Sequence, residues 1–136
     1  MKILFIHLSD AHFKDDTFYS EKIINAQVQA LNSIGNFDKC FIMFSGDLAF
    51  SGQINEYKKA NSYMGKLWKK ICEKFSKFGN VYTRVVPGNH DINFNGENRD
   101  RTSIKAMIND GRIDEKINDE LTNFNNFYDH ISKYNC

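Results

Sequence analysis

The chain has 136 residues, about one domain at roughly 150 residues per domain: enough for one core, too few for separate catalytic and regulatory domains. Hydrophobic residues make up 41 % and charged residues 26 %, and no apolar run approaches the ~18 residues of a membrane helix, which excludes disordered, fibrous and integral membrane proteins. Lysine and arginine number 18 against 17 aspartates and glutamates, so net charge gives no general argument for a nucleic-acid partner.

Residues 1–6 (Met-Lys-Ile-Leu-Phe-Ile) open like a signal peptide, but Ser9-Asp10 stops the run without a small-residue cleavage site. The run over 2–8 is read as a strand, and its nearly continuous apolarity predicts cover on both faces, as in a parallel sheet. Residues 9–19 are polar and predict a loop. Ser20 caps a helix carrying Ile23, Ile24, Gln27, Leu31 and Ile34, stopped by Gly35-Asn36. A second strand of the same kind spans 39–45, and Gly46 to Gly52 turns the chain. Over 53–78 an apolar stripe of Tyr57, Met64, Leu67, Trp68, Ile71, Cys72, Phe75 and Phe78 predicts an amphipathic helix, ended by Gly79-Asn80. A third strand covers 81–86, closed by Pro87-Gly88. The composition then shifts: 99–134 is rich in Asn, Asp and Glu and predicts two helices broken near Gly111. The division is therefore residues 1–94, a βαβαβ unit, and 95–136, a helical segment that could form a cap or begin the missing half of a larger fold.

Alternating strands and helices predict an α/β fold with a parallel sheet. In open α/β sheets ligands gather at the carboxyl ends of the strands. Here those ends are Ser9–Ala11, Gly46–Asp47 and Gly88–Asp91. They carry Asp10-Ala11-His12, Gly46-Asp47 and Gly88-Asn89-His90-Asp91. Carboxylate oxygen and imidazole nitrogen suit borderline divalent ions such as Mn²⁺, Fe²⁺ and Zn²⁺. Asp10 and His12 can chelate one ion from a single turn, Asp47 could complete or bridge a site, and Asn89 offers an amide oxygen. Two divalent ions against only Asp10 and Asp47 would leave a positive field for a phosphate, and a metal pair roughly 3.5–4 Å apart clamps an in-line phosphoryl displacement.

The stretches 8–13 (Leu-Ser-Asp-Ala-His-Phe), 45–52 (Ser-Gly-Asp-Leu-Ala-Phe-Ser-Gly) and 86–91 (Val-Pro-Gly-Asn-His-Asp) resemble the N-terminal half of a calcineurin-like metallophosphoesterase. The resemblance covers residues 2 to about 94. It implies the N-terminal part of a four-layer α/β/β/α fold holding two divalent metal ions, Mn foremost, with Fe, Zn or Mg as alternatives. Asp10 and His12 would bind the first metal, Asp47 would bridge both and Asn89 would bind the second. His90 would serve as general acid or electrostatic partner at the leaving group, and Asp91 would support the turn from behind. A metal-bound hydroxide would attack phosphorus. The segment after Gly46-Asp47 lacks the Asp-Arg pair of the Ser/Thr protein phosphatase branch and looks more like the bacterial phosphodiesterase branch, acting on cyclic nucleotides, nucleotides or nucleic acid.

That family completes its site with a later His and a Gly-His-x-His stretch. After His90 this chain has only His130, expected to be a solvated or packed helix residue, and His7 is expected to be a hydrogen-bonded core histidine. The chain stops at Cys136 within helical periodicity, which predicts a piece or shortened reading frame of a longer enzyme, with the remaining fold in a longer chain or a partner. Cys40, Cys72 and Cys136 form no Cys-x-x-Cys pair and leave one over, which argues against a disulfide framework or thiolate zinc site and for a cytoplasmic setting.

The helix over 53–78 carries seven lysines against Glu56 and Glu73. A phosphate backbone would fit such a face, but the absence of interleaved exposed aromatics favours a solvated face whose Lys stems cover the core edge. Two functional readings result. One is a metal-dependent phosphoesterase. The other is a catalytically incomplete module that binds metal or a partner in a scaffold or regulatory role.

Overall fold

The computed structural model describes residues 1–14, 21–75, 80–93 and 121–134. Three strands, β1 (Ile3–Leu8), β2 (Lys39–Ser45) and β3 (Asn80–Val86), form one parallel sheet in the order β1-β2-β3. Helix α1 (Glu21–Ala30) joins the first two strands and α2 (Ile54–Phe75) the last two. A further helix, α3 (Thr122–Ile131), packs Phe124 and Phe127 on Tyr57 of α2, with ring centroids 6.2 and 5.3 Å apart. The α/β class is as the alternation predicts. Ser20, Phe78, Gly79 and all of 94–120, including the break near Gly111, lie outside the described residues.

Strand order explains which faces are covered. Parallel connections are almost always right-handed. Two such connections stepping the same way, β1 to β2 to β3, put both helices on one face. On that face Cys40, Ile42, Phe44, Val81 and Val85 are buried, and Leu4, Ile6 and Leu8 pack against the same core. On the other face Ile3, Phe5, Met43 and Val86 are exposed. The expectation of cover on both faces is thus corrected: burial alternates along each strand. The open face carries an aromatic row in register, Phe5 stacked on Phe41 at 5.5 Å and Phe41 on Tyr82 at 5.2 Å. His7 also lies on this face. It is hydrogen-bonded, Nε2 to Ser45 Oγ at 2.6 Å, but it is exposed and not a core residue.

The helices follow their stripes with two corrections. In α1 Ile24 is buried and Gln27, Val28 and Leu31 are half-buried, while Ile23 and Ile34 are exposed. The chain tightens into a 3-10 turn at Leu31–Ser33 and Ile34 is extended, because an exposed Ile34 gains nothing by continuing the helix. Gln53 and Glu56 start α2: the Glu56 carboxylate reaches back to the Gln53 N–H at 2.9 Å, satisfying a donor that the first helical turn leaves open. The lysine-rich face of α2 is partly spent on α1. Lys70 pairs with Glu21 at 3.2 Å, and Lys74 donates to the Val28 carbonyl at 3.1 Å and to Asn32.

The cysteines depart from expectation too. Cys40 is a free, fully buried thiol, and burial pushes its pKa up to about 11. Cys72 is disulfide-bonded, with its partner outside the described residues. Cysteine spacing along a chain does not reveal which segments lie side by side, so a single bond of this kind is not visible in the sequence. No described helix is long and apolar enough to cross a membrane.

Candidate metal centre

The loops leaving β1 and β2 continue the parallel pairing beyond the strands. Asp10 N–H donates to the Gly46 carbonyl at 3.3 Å, His12 N–H to Asp47 at 2.9 Å and Phe13 N–H to Leu48 at 2.7 Å. Phe13, 1 % exposed, anchors the first loop in the core. To keep these bonds while turning, three non-glycine residues take the left-handed conformation: Asp10 at φ 54°, His12 at φ 46° and Asp47 at φ 52°. Asp and His tolerate this region better than most residues, yet each such residue costs of order 1 kcal/mol or more and persists only where its surroundings hold it. Among the described residues these are all the non-glycine residues at positive φ, and all three are sequence-predicted site residues.

The third loop is pressed against the second. Gly46, at φ +96°, lies so close to Gly88 that a Cβ on Gly46 would stand 3.1 Å from Gly88 Cα. A Cβ on Gly88 would stand 2.2 Å from Asp47 Oδ1 and 2.5 Å from Asp47 N. This approach lets the His90 N–H donate to Asp47 Oδ1 at 2.9 Å.

Below the rim, Asp91 ties the loops together. It is 0 % exposed. Its Oδ1 accepts from Ala49 N–H at 2.8 Å and from the Tyr57 hydroxyl at 3.0 Å. Its Oδ2 accepts from Gly88 N–H at 2.8 Å and Leu48 N–H at 3.2 Å. A buried carboxylate is tolerable only with such a full set of donors. Burial, then the adjacent Asp91 charge and hydrogen bond, push the Tyr57 phenol above its ordinary range. Of these four bonds, the one from Gly88 N–H lies in the turn that the resemblance expects Asp91 to support, and the other three tie Asp91 to the second loop and to α2. Glu56 braces the next stretch, accepting from Ser51 N–H and Oγ at 2.9 Å each.

On this support His12, Asp47 and His90 converge: one potential ligand atom from each lies within 4.8 Å of the others. The His12 and His90 rings meet edge to face, centroids 4.7 Å apart. His90 Nδ1 is 2.8 Å from the Phe50 carbonyl. A carbonyl only accepts, so Nδ1 carries the proton and a neutral ring keeps its lone pair on Nε2, the arrangement usual for an oriented catalytic or metal-binding imidazole. Two imidazoles and a carboxylate suit a borderline divalent ion.

Of the other predicted residues, Asp10 is exposed and approaches His12 Nε2 at 4.0 Å without joining the tight group. Asn89 is exposed on the turn beside His90. His130 is on α3, its Nε2 3.4 Å from the Tyr134 hydroxyl. Sequence reading missed Phe50 and Tyr57. Phe50 acts through a backbone carbonyl, which no residue type announces, and Tyr57 appeared only as an apolar position of a stripe. No family model matches the chain, and no curated protein matches it.

Proposed function

We propose that the chain carries the N-terminal half of a metal-dependent phosphoesterase of the calcineurin-like metallophosphoesterase type, its four-layer α/β/β/α fold completed by further chain or a partner on the open sheet face. The observation that carries the reading is the meeting of His12, Asp47 and His90, from three separate strand ends, on loops that hold Asp10, His12 and Asp47 in a costly backbone conformation. A divalent ion bound here supplies Lewis acidity toward a phosphoryl oxygen and lowers the pKa of water. His12 and Asp47 would hold the first ion with Asp10 beside them. Asp47 would also face a second ion, with Asn89, and that ion needs further ligands from beyond the described residues. As the imidazolium, His90 would hold a proton toward the leaving oxygen from Nε2 while the Phe50 carbonyl fixes the Nδ1–H. The substrate is a phosphoester: a cyclic nucleotide, a nucleotide or nucleic acid.

The test is hydrolysis of bis-p-nitrophenyl phosphate with and without Mn²⁺, on this chain and on any longer product of its gene. Mn²⁺-dependent turnover supports the reading. A second reading, a metal- or partner-binding module without turnover, is favoured by one observation: the described residues gather a single group of three metal-capable side chains. Tight Mn²⁺ binding with no hydrolysis in either product would select it.

A further inference from the structure

Phe50 is 43 % exposed, yet its backbone is fixed from both sides. Its N–H donates to the Phe13 carbonyl at 3.0 Å and its carbonyl accepts from His90 Nδ1 at 2.8 Å. The ring stands at the rim, its centroid 6.2 Å from that of His12 and 5.7 Å from that of His90. Above it stands the Lys14 ammonium, 3.9 Å from the ring centroid. One exposed aromatic ring thus touches a cation and both imidazoles of the centre.

We propose that Lys14 and Phe50 are the substrate-contacting pair of this rim: Lys14 takes a non-bridging oxygen of the phosphoester, and Phe50 stacks on an aromatic group of the same molecule. The inference rests on the phosphoesterase reading and adds to it which residues select the substrate. The contact of an ammonium with an exposed ring is itself weak, because water competes for the ammonium. A phosphate oxygen offers a stronger, charge-assisted partner. When Lys14 turns to the phosphate it uncovers the ring face, so one movement creates both contacts. Stacking on an aromatic side chain is tolerant of the identity of the aromatic group, which makes Phe50 a selector for aromatic against aliphatic esters and not for one base.

The experiment is calorimetric titration of the protein, with and without Mn²⁺, with adenosine 5′-monophosphate, phenyl phosphate and ribose 5-phosphate. At least one aromatic ligand is expected to bind about tenfold tighter than ribose 5-phosphate, the scale of one stacking contact. A gain for the nucleotide alone identifies a base as the stacked group, and a gain for phenyl phosphate identifies a ring directly on the ester. Phe50→Leu should bring all three affinities to within about twofold of one another, and Phe50→Tyr should keep the discrimination, which separates stacking from a folding defect. Lys14→Met should weaken all three ligands alike, by about fivefold or more, as loss of a charge-assisted contact requires. Equal binding of aromatic and aliphatic ligands by the parent, or discrimination that survives Phe50→Leu, overturns the role of Phe50. Unchanged affinities in Lys14→Met overturn the role of Lys14. Failure of both this chain and any longer product of its gene to bind Mn²⁺ and to hydrolyse bis-p-nitrophenyl phosphate overturns the phosphoesterase reading separately, while the metal-free titrations still decide for or against the pair.

Discussion

Asp91 and Asp47 belong to neighbouring loops at the same edge of the sheet, and their surroundings differ. Asp91 is fully buried and both of its oxygens are spent on donors from Leu48, Ala49, Gly88 and Tyr57. Asp47 is half-buried, in the left-handed conformation, with its carboxylate among the ring nitrogens of His12 and His90. The lower carboxylate closes a network, while the upper one faces a cluster still able to take a ligand. Strain at the rim is thus sustained by satisfied bonds beneath it. Substitutions in the two layers should therefore have opposite signatures, one in stability and one in binding.

The largest effect on folding is expected for Asp91→Ala. It leaves three buried backbone N–H groups without their partner and the Tyr57 phenol with only the carbonyl of residue 91, and should cost about 3–5 kcal/mol in denaturant unfolding. A loss under about 1 kcal/mol would mean that the lower layer does not hold the loops. Gly88→Ala comes next, because its methyl group would stand 2.2 Å from Asp47 Oδ1. A displacement of that kind should cost about 2–3 kcal/mol and weaken Mn²⁺ binding as well, since the shift passes directly to Asp47. If Gly88→Ala leaves Mn²⁺ affinity intact, the two layers are not coupled there.

Tyr57→Phe removes one donor to Asp91 and should cost about 1–2 kcal/mol. Tyr57 also predicts a direction with pH. Its folded pKa is raised, so the stability that it contributes is complete below the ordinary phenol range and is lost as pH rises beyond it. Cys40 acts in the same direction from lower pH: raised from 9.0 to about 11, its contribution is complete below pH 9 and falls between pH 9 and 11. Unfolding free energies measured across pH 8–11 on the parent and Cys40→Val should show a shallower decline in the variant; equal slopes would remove Cys40 from the account.

The strands and the edge where His12, Asp47 and His90 meet were legible because each strand is a short apolar run that ends directly on a polar turn. The one-sided cover of the sheet was not. Periodicity over Ile3–Leu8 says that the residues are apolar, while burial of Phe5 depends on the side to which the two crossovers turn, a property of strand order. Asp10, His12, Asp47, Asn89 and His90 could be named from residue type and position. That Asp10 and Asn89 lie outside the tight group depends on turn conformations, which short polar sequences specify weakly. The Phe50 carbonyl beside His90 and the Tyr57 hydroxyl on Asp91 are contacts across 40 and 34 residues of sequence, and nothing local encodes them.

The smallest effect on folding, and the most direct test of the centre, belongs to Asp47→Asn. Asparagine keeps an oxygen that can accept from the His90 N–H and tolerates positive φ, so stability should stay within about 0.5 kcal/mol of the parent. Loss of the charge should nevertheless remove most of the attraction for a divalent ion. Calorimetric titration with Mn²⁺ is predicted to show an affinity at least about tenfold weaker in Asp47→Asn than in the parent, with an unchanged unfolding curve. Equal Mn²⁺ affinity in the two proteins would contradict the proposal that Asp47 is a ligand of a metal centre.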